Sequence, residues 1–290
     1  MVPNALFEIG PFTVTLLGVF TALGVIGAMT VIGKEARRYG WETESVHSII
    51  LAAFFGGVVG ARLYYAAVFA PEYFLSNPAR ILAFHEGGLS IQGALFGGLI
   101  AIVVYTRVKR LSFWKSVDIL APGMILGQAI GRVGCDVFGV EASERVWWAV
   151  EVAGRALHPV QLYESMLNYL LFLGLWAGRR YFRRGGEVFF VYLMGFAVNR
   201  FGVEFFRVNP SAIGPLTVAH VTSIAMFVGA LAILALRRVL IVHAAGTQTE
   251  PGSAESDSSP TIPSPARSTV VVVAALMAVS ILAYYLIHAG

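Results

Sequence analysis

GGLSIQGALFGG, residues Gly87–Gly98, joins a polar loop to an apolar helix and places the amide of Gln92 among five glycines. One interpretation is structural: a glycine hinge closed by a polar side chain, since glycine tolerates backbone conformations that other residues disfavour. The other is functional: a loop whose backbone lets a lipid or substrate approach, with Gln92 directed at it. The rest of the chain indicates that this helix lies in a membrane.

The composition is that of a membrane protein. Of 290 residues, 57% are hydrophobic and 13% are charged, with a mean hydropathy of +0.72, whereas soluble domains contain about 25% charged residues. The single cysteine, Cys135, excludes an intrachain disulfide, and no Cys/His cluster suggests a metal site. Basic residues lie in short runs between apolar segments, which indicates membrane topology. We therefore expect no metal, no cofactor and no nucleic-acid partner.

Eight apolar segments are long enough to cross a bilayer core, which needs about 20 residues per helix. They cover residues 11–33, 47–70, 90–106, 117–138, 160–182, 187–206, 216–236 and 269–288. The N-terminus lacks the basic flank of a cleavable signal peptide, so we expect the first span to be retained. The expected fold is an all-α polytopic membrane protein with a seven-helix core.

The C-terminal part of the chain differs in composition from this core. We expect the seven-span domain to cover residues 1–240. Residues 241–268, rich in Ser, Pro, Thr and Glu, predict a disordered cytoplasmic linker. Residues 269–290 then form an extra transmembrane helix of Val, Ala and Leu without charge, which favours an appended anchor without chemistry.

The distribution of basic residues predicts the orientation of the spans. The loops that follow the first, third, fifth and seventh spans contain 13 of the 21 Lys and Arg residues. The loops on the opposite side of the membrane contain only Arg80, Arg145, Arg155 and Arg207. Cytoplasmic loops are enriched in Lys and Arg. The N-terminus is therefore expected outside the cytoplasmic membrane.

Three arginines lie inside predicted spans, toward their outer ends: Arg62, Arg132 and Arg200. Ionisable groups at such positions are costly and usually functional, although a single arginine also reaches the interface by snorkelling. Arg200, Glu204 and Arg207 share one helix face by their spacing. A guanidinium left over from such pairing is a good receptor for phosphate. These residues predict an outward-facing pocket for an anionic lipid headgroup.

Other candidate residues have equally ordinary interpretations. His158 precedes Pro159 where the fifth span begins, so it is either a site residue or part of a helix start. Tyr163 follows in the same segment, near the outer surface. Cys135 shares a face with Arg132, yet a lone buried cysteine usually behaves as a small hydrophobic residue.

Five segments together resemble the bacterial prolipoprotein diacylglyceryl transferases. They are GARLYY (60–65), GGLSIQGALFGG (87–98), GQAIGRVGC (127–135), HPVQLYES (158–165) and NRFGVEFFR (199–207). The resemblance covers about residues 10–240. It implies transfer of the diacylglyceryl group of phosphatidylglycerol to the lipobox cysteine thiol of a prolipoprotein, whose signal peptide the enzyme recognises, at the outer side of the bacterial cytoplasmic membrane.

The resemblance also implies a set of site residues. Expected catalytic residues are Gln92, Arg132, Arg200, Glu204 and His220, with Glu204 orienting Arg200. Expected phosphatidylglycerol contacts come from Arg62, Gly87, Gly88, Ser90, Arg132, Gly134, His158, Tyr163 and Arg200.

Four positions depart from the family pattern. Gln92 replaces a histidine that would be a natural base, and an amide cannot accept the thiol proton near neutral pH. Leu17 replaces an aromatic residue, and Cys135 replaces an asparagine. His220 stands where the family has a glutamine, so it either compensates for the lost histidine or is there by coincidence.

Two other functions remain as alternatives. One is a divergent paralogue that binds or modifies anionic phospholipid with another acceptor, or without catalysis. The other is an anion transporter or channel, which is disfavoured because the intramembrane charges cluster on one side and no matching half-repeats with broken helices are present.

Overall fold

A computed structural model of the protein describes residues 5–9, 12–68, 70–82, 88, 90–143, 146–182, 184–246 and 267–288. Two compact units are present: Met1–Ile32 together with Asp118–Gly290 form the first, and Gly33–Val117 form the second. The site described below lies in the first unit.

The described chain is mainly helical. The helices are α1 (Leu16–Arg38), α2 (Thr43–Val68), α3 (Pro71–Ser76), α4 (Ile91–Val108), α5 (Phe113–Arg132), α6 (Val160–Gly178), α7 (Glu187–Glu204), α8 (Val218–Gly246) and α9 (Arg267–His288). Three antiparallel hairpins accompany them, namely β1/β2 (Ala5–Ile9, Phe12–Thr15), β3/β4 (Val150–Val152, Arg155–Leu157) and β5/β6 (Ser211–Ile213, Leu216–Thr217). Short 3-10 helices cover Pro78–Leu82 and Arg179–Tyr181.

The predicted all-α polytopic fold is confirmed, because each of the eight predicted spans coincides with a long helix. Four helices in the described ranges are long and apolar enough by composition to cross a membrane: Leu16–Arg38, Glu44–Val68, Val218–Val239 and Ser268–His288. Helices α5, α6 and α7 carry the buried polar residues of the site, and these residues lower their hydropathy.

Several predicted boundaries differ from the structure. The first span was expected from residue 11, but Phe12–Thr15 pairs with Ala5–Ile9 as a strand and α1 begins at Leu16. The second strand consists of one aromatic and three β-branched residues, Phe12–Thr15, and these residue types favour a hairpin. The fourth span was expected to reach residue 138, yet α5 ends at Arg132. Helix α8 continues to Gly246, into the predicted linker, of which residues 247–266 lie outside the described part.

In the second unit, α2 and α4 pack through facing glycines. A Cβ atom on Gly93 would meet the carbonyl oxygen of Gly60, and one on Gly97 would meet that of Gly56. Small residues four apart on both helices allow such close backbone approach in membranes. Gly93 and Gly97, in the stretch 87–98, therefore serve helix packing. Gly88 differs, because its φ of +68° lies in the left-handed region that favours glycine.

In the first unit, α6 lies at the centre of the apolar core. Its buried residues Tyr169, Phe172 and Leu175 pack in one cluster with residues of α5, α7 and α9. The buried carboxylate of Asp118 on α5 accepts hydrogen bonds from the backbone N–H groups of Gly186 (2.6 Å) and Phe189 (2.8 Å). This carboxylate satisfies the N-terminal donors of α7 and fixes the helix whose other end carries Arg200.

Candidate active site

Three helices bring three guanidiniums and two carboxylates together. Arg132 is the last residue of α5, Glu164 lies near the start of α6, and Arg200 and Glu204 lie in the last turns of α7. Arg207 follows α7 closely. We call these five residues, Arg132, Glu164, Arg200, Glu204 and Arg207, the arginine cluster.

Glu164 is at the centre of the arginine cluster. Its Oε1 lies 2.8 Å from Nη2 of Arg132. Its Oε2 lies 3.9 Å from Nη1 of Arg200 and 4.0 Å from Nη1 of Arg207. Glu204 binds two of the same arginines, with Oε2 at 3.0 Å from Nη2 of Arg200 and 3.6 Å from Nε of Arg207.

The charges of the arginine cluster do not cancel, because three guanidiniums share two carboxylates. The carboxylate side chains are 3% and 0% exposed, whereas those of Arg132 and Arg200 are 31% and 21% exposed. Burial and the nearby guanidinium of Arg200 lower the pKa of Arg207. The cluster therefore carries one net positive charge, and its arginines retain surface for a bound anion.

The β5/β6 hairpin holds Glu204 in place. Its Oε1 accepts hydrogen bonds from Nδ2 of Asn209 (2.6 Å) and from Oγ1 of Thr217 (2.8 Å). Two donors on one oxygen leave the second oxygen directed at Arg200. An orienting role for Glu204 needs such a geometry, and the role itself stays a prediction.

His220 lies beside the cluster and caps α8. Its Nδ1 accepts a hydrogen bond from the backbone N–H of Thr217 (3.2 Å), and its own backbone N–H donates to Oγ1 of Thr217 (3.4 Å). These reciprocal bonds form a capping box with histidine as its fourth residue. The ring is 2% exposed and lies between Phe201 and Phe205. These contacts give His220 a structural role, and the catalytic role expected of it stays a prediction.

We expect His220→Gln to retain the activity that the resemblance implies, because a glutamine amide oxygen can accept the same Thr217 N–H bond. His220→Ala should lower the free energy of unfolding by about the 0.5–2 kcal/mol typical of a lost cap. Thermal unfolding and turnover of the purified variants measure both effects. Loss of turnover in a stable His220→Gln protein would instead support proton transfer by the imidazole.

His158 and Tyr163 form a second polar group near the start of α6. The Tyr163 hydroxyl lies 3.0 Å from Nδ1 of His158 and accepts a hydrogen bond from Nε1 of Trp148 (2.6 Å). Phe206 contacts both the His158 and the Tyr163 rings. Because Phe206 precedes Arg207 and Tyr163 precedes Glu164, this group adjoins the arginine cluster along two chain segments.

Cys135 touches the arginine cluster directly. Its Sγ lies 3.7 Å from Nη1 of Arg132 and 3.8 Å from the carbonyl oxygen of Gly131. Gly134 packs against α1, where a Cβ atom would meet the backbone of Leu16 and Leu17. Gly134 therefore has a packing role in addition to its predicted lipid contact.

The predicted residues of the second unit form a loop anchor. Arg62 is 2% exposed and donates hydrogen bonds to the carbonyl oxygens of Arg80 (2.7 Å), Ile81 (3.1 Å) and Gly88 (3.3 Å). These contacts give Arg62 a structural role, and the lipid contact expected of it stays a prediction. A Cβ atom on Gly88 would collide with Arg62 and Tyr65.

Three further predicted residues belong to the segment that opens α4. Ser90 is the N-cap of α4, and its side chain accepts a hydrogen bond from the N–H of Gly93 (3.5 Å). Gln92 lies in the first turn of α4, but its side chain is outside the described part of the structure, as is Gly87. The roles expected of Gln92 and Gly87 stay predictions.

The sequence prediction missed the central residue of the site. The sequence places Glu164 beside Tyr163 in the first turn of the fifth span, near the outer surface, but assigns it no role, and it does not single out Asn209 and Thr217. The signal was available for Glu164, because a carboxylate near the end of a predicted span usually has a charged partner. The hydrogen bonds of Asn209 and Thr217 depend on the β5/β6 hairpin, which was not predicted.

An apolar cavity of about 250 Å³ lies between α7 and α8. Its lining residues are Ala197, Val198, Phe201, Ser223, Ile224, Phe227 and Val228. Ala197 and Phe201 are within one helical turn of Arg200. The lining thus places apolar surface close to a positively charged site.

Comparisons with known proteins identify the family of the chain. The sequence profile of the family described as prolipoprotein diacylglyceryl transferase matches residues 4–236. The phosphatidylglycerol–prolipoprotein diacylglyceryl transferases of Bacillus cytotoxicus, Bacillus cereus and Bacillus mycoides are each 34% identical over 245 residues, which cover 80% of this chain and 90% of each relative. The chain therefore belongs to the prolipoprotein diacylglyceryl transferase family and is a membrane transferase.

Proposed function

We propose that the protein transfers the diacylglyceryl group of phosphatidylglycerol to the lipobox cysteine thiol of a prolipoprotein. The observation that carries the proposal is the net positive arginine cluster beside the apolar cavity between α7 and α8. A phospholipid has a matching arrangement, with one anionic phosphate next to apolar acyl chains. The names of the relatives support the same donor and acceptor.

The chemistry of this transfer suits the arginine cluster. The cysteine thiolate attacks the glyceryl carbon that carries the phosphate oxygen; the C–S bond forms as the C–O bond breaks. The bonding electrons move onto that oxygen, so negative charge develops on the phosphate in the transition state, and glycerol phosphate departs as a monoester once a proton has reached it. Arg132 and Arg200 would stabilise this developing charge, since prearranged donors in a dry site act most strongly in the transition state.

The thiol proton needs an acceptor, and we assign this role to His158. An imidazole has a suitable pKa for removing a thiol proton near neutral pH. The Tyr163 hydroxyl fixes Nδ1 of His158, and the described side chains form no hydrogen bond with its Nε2. The proton would pass from His158 to the departing phosphate oxygen, which balances the reaction.

The predicted topology is part of the proposal. Secreted precursors reach the outer side of the cytoplasmic membrane, so the arginine cluster should lie there, with the N-terminus outside. The excess of Lys and Arg in the alternate loops supports this orientation.

A transfer assay tests the proposed function. Purified full-length protein with phosphatidylglycerol vesicles and a lipobox peptide should add one diacylglyceryl mass to the peptide. The matched controls are a peptide with serine in place of cysteine and vesicles of a zwitterionic phospholipid, neither of which should react. Vesicle binding without any mass shift would contradict the transfer and favour the divergent paralogue.

A further inference from the structure

Helix α9 is joined to α6 by buried hydrogen bonds that a simple anchor does not need. Nε2 of Gln161 donates to the Tyr284 hydroxyl (2.8 Å), and the Tyr169 and Ser280 hydroxyls lie 2.9 Å apart. Gln161, Tyr169 and Tyr284 are all 0% exposed. The family profile ends at residue 236, so these contacts connect a family core with a helix outside it.

The same end of α9 also contacts Trp148, which hydrogen-bonds to Tyr163. The Tyr285 hydroxyl donates to the carbonyl oxygen of Trp148 (2.6 Å), and Nε1 of Trp148 donates to the Tyr163 hydroxyl (2.6 Å). Tyr163 in turn bonds His158. Trp148 therefore links Tyr285 to the second polar group of the site, with one hydrogen bond to each.

A third contact reaches the segment after α5. Nε2 of His288 lies 3.4 Å from Oδ1 of Asp136, and its ring stacks on Tyr284. Asp136 follows Cys135, whose sulfur touches Arg132. Tyr284 also packs against Val133 in one buried cluster. The last turns of α9 thus contact three segments: the one that follows Arg132, the start of α6 with Tyr163 and Glu164, and the segment of Trp148.

We propose that α9 positions the phosphate site of this enzyme and that Tyr284 and Tyr285 are positioning residues. The proposal rests on the proposed function, because it assigns the arginine cluster to the phosphate of phosphatidylglycerol. Gln161 is three residues before Glu164, so Tyr284 fixes the turn of α6 that carries the central carboxylate. Tyr285 fixes Trp148 and, through it, the Tyr163 hydroxyl that orients His158.

Inside a membrane, buried hydrogen bonds of this kind fix the position of one helix against another. Apolar side chains slide along one another at little cost, whereas a buried amide or hydroxyl without its partner loses a hydrogen bond and regains none from lipid. The two buried polar contacts between α6 and α9 therefore define one register of α9 against α6. Shifts of this register change the distances from Glu164 to its arginines.

The test uses the full-length protein with Tyr285→Phe as the main variant and Tyr284→Phe as a second. Each change keeps the ring and removes one hydroxyl. We expect a two- to tenfold loss in kcat/KM with phosphatidylglycerol vesicles, about the effect of one hydrogen bond, at an unchanged melting temperature for Tyr285→Phe. Leu282→Ala is the matched control, because Leu282 is 61% exposed on the same helix, and it should retain parental kinetics.

A double-mutant cycle separates positioning from general stability. If Tyr285 acts through Trp148 and Tyr163, its replacement should have little further effect on kcat/KM in a Tyr163→Phe background. Independent, multiplicative losses in the double variant would overturn the proposal, as would parental kinetics in both single variants.

Failure of the proposed function has a different signature, because parental protein would then add no diacylglyceryl mass to the lipobox peptide. In that case binding of inorganic phosphate, measured as a rise in melting temperature, still tests α9. Weaker phosphate stabilisation of Tyr284→Phe than of Leu282→Ala supports positioning of the arginine cluster, and equal stabilisation refutes it.

Discussion

Replacing Arg132 or Arg200 by alanine is expected to weaken phosphatidylglycerol binding, and with it diacylglyceryl transfer, by roughly one to two orders of magnitude. Both side chains are partly exposed and keep donors for a ligand. One hydrogen bond to a charged group contributes about 1.5–3 kcal/mol, or roughly a ten- to 150-fold change in affinity. Binding is measured with vesicles that contain or lack phosphatidylglycerol, and transfer with the lipobox peptide.

Lysine variants separate binding from folding at these positions. Arg200→Ala removes the nearest ion-pair partner of the Glu204 carboxylate, which is 0% exposed, and losing the partner of a buried charge destabilises the fold. Arg200→Lys keeps the charge but loses the planar fork that matches two phosphate oxygens. We therefore expect Arg200→Lys to fold normally and still to bind phosphatidylglycerol more weakly than the parent.

Arg238→Ala is the matched control for both arginines. Arg238 pairs with Glu187 at 3.0 Å, and its side chain is 55% exposed. Glu187 is at the opposite end of α7 from Arg200, so this variant removes an ion pair without touching the arginine cluster. Parental lipid binding by the Arg132 and Arg200 variants would show that these arginines only snorkel to the interface.

The arginines of the site were predictable because they break an apolar pattern. A charge inside a span is visible in one sequence, and the spacing of Arg200, Glu204 and Arg207 predicts the pairing that the structure has. The resemblance added the order of the five segments. Both signals are local, so each is readable without knowledge of the packing.

The partner of Arg132 was not predictable in this way. Glu164 is 32 residues away on another helix, and no helical period relates the two positions. The docking of α9 on α6 was not predictable for the same reason. Its sequence is uniformly apolar apart from a few polar side chains, and their partners, such as Gln161, are set by how the helices pack.

Residue type alone does not reveal the role of a histidine, as His220 illustrates. His220 was expected to replace a lost base because imidazole suits proton transfer, but Thr217 three residues earlier also makes it a helix cap. The Thr-x-x-His spacing was visible in the sequence, where the usual fourth residue of a capping box is Glu or Gln. Packing between two phenylalanines then buries the ring.

Glu164→Ala is expected to destabilise the protein more than any other single change in the arginine cluster. The carboxylate is 3% exposed and is the only described group that contacts Arg132, Arg200 and Arg207 together. Without the Glu164 carboxylate, Glu204 is the one remaining carboxylate of the arginine cluster beside three guanidiniums. Breaking a buried ion pair in this way costs about 3–5 kcal/mol, which thermal unfolding of the solubilised protein measures.

An added anion should restore part of that stability, because phosphate can take the place of the missing carboxylate between the guanidiniums. A ligand that binds only the folded state stabilises it in proportion to its affinity and concentration. Inorganic phosphate should therefore raise the melting temperature of Glu164→Ala more than that of the parent. Glu187→Ala, which breaks the pair with Arg238, should gain no such increment. Equal phosphate effects on all three proteins would mean that the arginine cluster does not bind phosphate, and the assignment of the lipid headgroup to this site would fail with it.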